Sequence, residues 1–230
     1  MINTFTFAGK NSWDDFRLVV EKIPREEGGQ KILETVQIPG RTGTLTIDTG
    51  AISNTTRTYD VAFAGHGWIT QKMREIRNWL ATATGYQRLQ DTYDPHIFRL
   101  AKIKDLGSFE NIMEAYARGT LSFDCDPRRF LVSGQTAISA PGSILNPGQP
   151  ARPRVALTAA SSGTAVIGGT TITVTSASAS IIIDSESRTI EAGASVVNFD
   201  EFPVIPAGGD TISVTGGVSL VSLIPRWWQP

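Results

Sequence analysis

The chain has 230 residues and a mass of 24.8 kDa, with 21 Lys plus Arg against 22 Asp plus Glu and a formal charge of -1. A chain of this size buries about 70% of its unfolded surface, enough for one large core or two small ones without covalent staples. The charge balance excludes a strongly basic nucleic-acid footprint and an acidic solvating tail. A single cysteine, Cys125, excludes an intrachain disulfide framework, a Cys-based zinc site and a CxxC redox pair, and it points to a reducing compartment. The start MINTFTFAGKNSWDDF has no basic stretch followed by an apolar run, so neither a secretory nor a mitochondrial leader is expected. No run approaches the roughly eighteen apolar residues of a membrane-spanning helix.

Alternation at Ile2, Thr4 and Thr6 against Asn3, Phe5 and Phe7 predicts a first strand, and Phe16, Leu18 and Val20 predict a second after a turn at 12–15. A loop around Arg25 to Gly29 leads to strand candidates in KILETVQIPG, LTIDTG and TYDVAFAG. One helix is expected: Thr70 is its N-cap candidate, Met73, Ile76 and Leu80 form its apolar face, and Arg74, Arg77 and Asn78 face outward. It should end near Thr82. The stretch 86–103 reads as strand, turn at Asp94 and Pro95, and strand. Leu106, Phe109, Ile112, Met113 and Tyr116 fit a helical face or two short strands, with strand favoured after Asn111. In TLSFDCDP, Leu121, Phe123 and Cys125 share one strand face.

Composition then shifts. Residues 1–133 carry 17 basic and 16 acidic side chains, and residues 134–230 only 4 and 6. Eight of ten Phe, three of five Trp and all four Tyr fall in the first part, whereas the second is rich in Ser, Thr, Gly, Ala, Val and Ile. Two domains with separate cores follow, 1–133 and 149–230, with a Gly- and Pro-rich linker over 134–148 and a boundary near Pro147. In the second part, RVALTA, TAVIGG, TTITVTSA, SIIIDSES, RTIEAG, ASVVNFDEFPVI, DTISVTG and GVSLVSLIPRWW read as short strands. The Gly pairs at 168–169, 208–209 and 216–217 mark turns. The fold class is therefore mainly β: a β-rich first domain with one packed helix, and a second domain that is an antiparallel sandwich.

Nucleotide-binding and zinc-protease motifs are absent. His66 and His96, the only histidines, read as structural or surface residues, with His66 at a turn between Gly65 and Gly67. Asp14 with Asp15 and Asp124 with Asp126 resemble carboxylate pairs, but turn capping and salt bridges, with Arg128 and Arg129 near the latter pair, explain them more simply. Cys125 reads as a small core residue rather than a nucleophile. Trp227 and Trp228 admit two readings: an aromatic carbohydrate platform, or rings on opposite faces of a strand, one sealing the sandwich and one packed elsewhere.

The segments FTFAGKNSWDDFRLVVEKIP, ETVQIPGRTGTLTIDTGAISNTTRTYDVAF and GTLSFDCDPRRF, followed by LNPGQPARPRVAL, IIIDSES, FPVIPAGGDTISV and PRWW, resemble in order and spacing the distal tail proteins of long, non-contractile-tailed bacteriophages and related prophages. The resemblance spans essentially the whole chain. It implies a tail-tube-like N-terminal β-sandwich with a helix that assembles as a homo-hexameric ring around a central channel, and a galectin-like C-terminal sandwich projecting outward. The implied role is a structural hub at the distal end of the virion tail, assembled in the host cytoplasm. One face would meet the tail-tube protein and the other the tip or baseplate protein, with DNA passing through unread. No enzyme activity, cofactor, metal or membrane insertion is implied. Within that picture Pro39, Gly40, Arg41, Thr42 and Gly43 form the leading interface loop, the alternative for them being a hairpin tip in solvent. Arg57, Tyr59 and the mixed face of helix 70–82 are further interface candidates, and Trp79 serves either the interface or the core. The alternative is a carbohydrate-binding adhesion protein of a tail or cell surface, carried by the Ser/Thr-rich sandwich and by Trp227 and Trp228.

Overall fold

The computed structural model describes residues 2–65, 69–113, 116–175, 179–193 and 195–230; His66 and Trp68 lie outside them. The chain divides into two compact units, Met1–Arg129 and Phe130–Pro230, each with its own core. It is mainly β, as the alternating patterns predict.

The first unit contains β1 (Phe5–Phe7), β2 (Lys10–Asn11), α1 (Ser12–Phe16), β3 (Leu18–Val20), β4 (Arg25–Glu26), β5 (Lys31–Gln37), β6 (Thr44–Ile52), β7 (Thr55–Ala64), α2 (Ile69–Thr82), β8 (Gln87–Asp91), β9 (Ile97–Asp105), β10 (Phe109–Met113) and β11 (Tyr116–Leu131). One sheet runs β2-β1-β8-β9-β11-β7-β3, with β4 added to β7 and β10 to β11; β5 and β6 form a separate ribbon. The expected turn at 12–15 is the short helix α1. Its start is fixed reciprocally: Asn11 Oδ1 accepts from the Trp13 and Asp14 amides at 2.8 and 3.2 Å, and Asp15 Oδ2 accepts from the Asn11 amide at 2.8 Å. Arg17, left-handed at φ 57°, ends the helix, so the strand expected from Phe16 begins at Leu18.

Helix α2 begins at Ile69, one residue before the expected N-cap, and Thr70 is a helical residue. Its buried stripe is Ile69, Met73, Ile76, Trp79 and Leu80. Trp79 belongs to the core: it stacks on Phe16 at 4.4 Å between centroids and lies beside Phe5 and Phe7, which in turn meet Phe123. Leu121, Phe123 and Cys125 are fully buried on one face of β11. Strand β10 starts at Phe109, earlier than the Asn111 start expected.

The second unit contains a 3-10 turn at Val132–Gln135, then β12 (Gly142–Ile144), β13 (Arg154–Ile167), β14 (Thr170–Thr175), β15 (Ala179–Asp184), β16 (Thr189–Glu191), β17 (Val196–Asn198), β18 (Asp210–Ile224) and β19 (Trp228–Gln229). Strand β13 pairs with β18 along most of its length, with β15 through its first half and with β14 through its second. Two layers thus share one bent spine around Val155, Leu157, Ala165, Ile167, Ile172, Ile181, Ile183 and Leu223. The span 134–148, expected as a linker, is integrated here: Ile138 bridges to Leu223, and β12 pairs with β18. Buried Asn146 donates to the carbonyls of Gln149, Ile205 and Pro206 where the neighbouring prolines prevent regular pairing.

RVALTA and TAVIGG are one strand, as are DTISVTG and GVSLVSLI, so the glycine pair at 216–217 is a kink inside β18 and not a turn between strands. Facing it, Gly163 sits where the register of β13 shifts, and a Cβ there would fall against the Thr215 carbonyl oxygen. Gly163→Ala is therefore expected to cost about 1–3 kcal/mol, because backbone must move. Gly217→Ala, opposite Ser161, should behave alike. Denaturant unfolding of the two variants checks this.

Candidate functional site

The ribbon of β5 and β6 is the feature of the first unit that its own core does not explain. All seven β5 residues are exposed, as are eight of the nine in β6. Glu34 stands opposite Ile47 and Val36 opposite Leu45, so these four share a face. Ile32 and Ile38 alternate onto it with Val36. Ile32, Val36, Ile38, Leu45 and Ile47 remain 38–48% exposed. The other face presents Thr35, Gln37, Thr44, Thr46 and Asp48, with Leu33. An isolated two-stranded hairpin is at best marginally stable in water. This one is an amphipathic arm with no second layer among the described residues.

The five expected loop residues form its tip. The Arg41 amide donates to the Ile38 carbonyl at 3.1 Å, closing a turn with Pro39 second and Gly40, at φ 81°, third. This is type II turn chemistry: proline presets the first central residue and glycine supplies the positive φ of the next. Gly43 adds a second positive φ, of 88°. Arg41 and Thr42 are exposed at the apex.

Arg57 and Tyr59, also expected at an interface, lie in the interior at 6% and 0% exposure. Strand alternation turns both inward from β7, where polar partners await them. Arg57 Nη2 donates to Asp91 Oδ2 at 2.6 Å and Nε to the same oxygen at 3.0 Å; the Tyr59 hydroxyl donates to it at 2.8 Å. Asp91 Oδ1 accepts from the Tyr93 and Asp94 amides. The remaining Arg57 fork reaches Glu26 Oε2 at 2.6 Å, and Arg99 and Arg129 converge on the same carboxylate at 2.8 and 3.3 Å. Burial acts to raise the Glu26 pKa, but attraction from Arg99, Arg57 and Arg129 outweighs it and holds the group below the usual carboxylate range. Burial, and then the Asp91 charge, push Tyr59 well above an ordinary phenol. Nothing in the sequence joins Glu26, Arg57, Asp91, Arg99 and Arg129, which are up to 103 residues apart.

The other candidates are structural. Asp124 pairs with Lys102 at 3.2 Å and Asp126 with Arg128 at 2.8 Å. Burial pushes the Cys125 thiol up to about 12, leaving it protonated at neutral pH. His96 is exposed at the turn before β9. A cleft lined by Glu21, Lys22, Arg25, Asp60 and Arg118 has its charges engaged with one another, Arg118 with Glu21 at 2.9 Å and Arg25 with Asp60 at 3.4 Å.

In the second unit Trp227 is buried in the core, and Trp228 is half-buried with Nε1 donating to the Pro150 carbonyl at 2.9 Å. Arg226, left-handed at φ 60°, sets their direction, and its fork meets Asp184 at 2.7 and 2.8 Å.

No family model and no curated protein matches the chain. Among solved structures it is similar to the SPP1 Dit (gp 19.1) protein, described as a paradigm of the hub adsorption apparatus in phages that infect Gram-positive bacteria. The TM-score is 0.68 over 97% of this chain and 98% of that chain, at 14% identity. The likeness is one of fold and extends through both units.

Two measurements follow from the ion pairs. Asp91→Ala removes the acceptor of two Arg57 bonds and of the Tyr59 hydroxyl, leaving Arg57 to Glu26, and breaking this buried pair is expected to destabilise the first unit by about 3–5 kcal/mol, read by calorimetry. The Asp184 carboxyl, hydrogen-bonded by Arg226, is held down at about 2. Its folded pKa lies below its unfolded value of about 3.9, so its contribution is present above that value and lost as pH falls from about 4 through 2, at most roughly 2 kcal/mol once solvent screening of this partly exposed pair is allowed for. Unfolding of Asp184→Asn should show a smaller loss of stability over the same pH interval.

Proposed function

We propose that the protein is a structural hub of a phage tail: a homo-hexameric ring at the distal end of the tail that joins the tail tube to the tip or baseplate, leaving a central channel through which DNA passes. The observation that carries this reading is the arm of the first unit, an amphipathic ribbon whose apolar face has no covering layer among the described residues of its own unit. The fold likeness to a hub protein over nearly the whole of both chains supports the same reading, as does the ordered resemblance of segments to distal tail proteins. A closed ring gives every subunit one donor and one acceptor surface, so each arm finds a cover and none is left over. Burying the remainder of Ile32, Val36, Ile38, Leu45 and Ile47 contributes about 1 kcal/mol per side chain, and the apex residues Arg41 and Thr42 lie at the rim of that contact.

Arg57 and Tyr59 serve this role indirectly, from beneath the root of the arm. The tail-tube protein on one face and the tip protein on the other are the partners of the assembled ring, in a virion put together in the host cytoplasm. The chemistry is that of assembly: Cys125 is buried and protonated, and the carboxylates named above are engaged in caps and ion pairs. The adhesion alternative receives no paired aromatic platform from Trp227 and Trp228, since one ring is in the core and the other packs against it.

The double substitution Val36→Lys and Ile47→Lys is expected to leave the fold intact, because both side chains are exposed, and to convert hexamers to monomers. Light scattering and negative-stain imaging read the outcome. Undiminished ring formation by that variant would remove the arm from the interface. A parent protein that stays monomeric even when mixed with its tube protein would overturn the hub itself.

A further inference from the structure

Resting on the reading of β5 and β6 as a contact arm, we infer that the direction of the arm is set within the free subunit by two polar clamps at its root, Glu26 on the outgoing limb and Asn54 on the returning one. The arm is thus presented already aimed, and it does not find its partner by flexing.

The local sequence would suggest the opposite. Gly28 and Gly29 precede the arm, and Ser53 and Asn54 follow it, a composition typical of a free hinge. In the structure Gly29 serves close approach instead. A Cβ there would lie 2.5 Å from Ile52 Cγ2 and 2.8 Å from the Ser53 carbonyl oxygen, so the two limbs cross with no room for a side chain. Two hydrogen bonds seal the crossing: the Ser53 amide to the Gln30 carbonyl at 2.8 Å, and the Gln30 amide to Ser53 Oγ at 3.0 Å.

Below that waist each limb is fastened separately. On the outgoing side, the Glu26 carboxylate is gripped by arginines from three different strands, β7, β9 and β11, and the Glu27 amide donates to the Thr56 carbonyl at 3.0 Å. On the returning side, Asn54 Nδ2 donates to the Tyr86 hydroxyl at 2.6 Å and to Asp124 Oδ2 at 3.0 Å. Lys102 braces both acceptors, pairing with Asp124 at 3.2 Å and standing 5.3 Å over the Tyr86 ring. The polar partners described for both clamps lie on β7, β9, β11 and Tyr86 and not on the apolar face of the arm, so their common effect is on its orientation.

Leverage makes this matter. Seven residues of extended strand reach about 23 Å, so a swing of roughly 20° at the root moves the tip by about 8 Å, further than a docked side chain tolerates. An arm fixed in advance also removes the ordering cost that a mobile segment incurs on docking.

The test places spin labels at Thr42→Cys, on the tip, and Arg77→Cys, on the exposed face of α2, in the full-length Val36→Lys and Ile47→Lys protein kept monomeric, so that distances are read within one free subunit. Buried Cys125 stays unlabelled. The expected result is one narrow distance distribution in the parent, widened about twofold by Asn54→Ala and by Glu26→Gln. Asn54 is exposed, so its variant keeps the fold even if Glu26→Gln loses stability; circular dichroism monitors both. A parent distribution as broad as those of the variants, or narrow distributions in both variants, overturns the inference. Because the readout is intramolecular, failure to form rings leaves the clamp standing, whereas rings built with a freely swinging arm refute the clamp and spare the hub.

Discussion

Five buried or half-buried charges, Glu26 and Asp91 against Arg57, Arg99 and Arg129, hold together β4, β7, β8, β9 and β11 at the point where the arm leaves the first unit. Desolvating such a group is expensive, and its mutual attraction returns little beyond that cost. What it provides is geometry. Each arginine fork accepts a carboxylate in few orientations, so the network selects one register of five strands where aliphatic side chains would tolerate several. Apolar packing of Phe5, Phe7, Tyr59, Trp79 and Phe123 supplies the cohesion, and the polar layer decides which way the edge of the sheet points.

The second unit solves a similar problem by other means. Two long strands, β13 and β18, run together and bend at Gly163 and Gly216, so one pair of segments serves both layers of the sandwich. Its outer edges are the short strands β12, β16 and β17, which offer little to edge-to-edge pairing. The exposed ribbon of the first unit is the contrast: an apolar face left open in a chain that elsewhere keeps its edges short. The proposed assembly contact rests on that contrast.

Much of this was legible in the residues. Period-two alternation located most strands, the Met73, Ile76 and Leu80 spacing located α2, and Pro39 with Gly40 wrote the turn at the arm's tip. Local signals competed at the misses. Ser12 to Asp15 reads as a turn because its cap is completed by Asn11 from outside, and Ser, Gly and Thr at 161–164 and 215–217 read as breaks although glycine was serving a close crossing of two strands. Arg57 and Tyr59 read as interface candidates, and the partners that hold them inside, Asp91 and Glu26, lie 31 to 34 residues away and carry no local mark.

By itself, then, the sequence determined the β-rich class, the division into an aromatic-rich part and a Ser/Thr-rich part, and the chemistry of the arm's tip, because these depend on composition, alternation and backbone preference, all of which are local. Only the tertiary structure decided that the strands of the arm are exposed, that its glycine waist is a tight crossing, and that Glu26, Arg57, Arg99 and Arg129 meet beneath it. Those are matters of which distant strands become neighbours, and a carboxylate carries no sign of how many arginines will surround it.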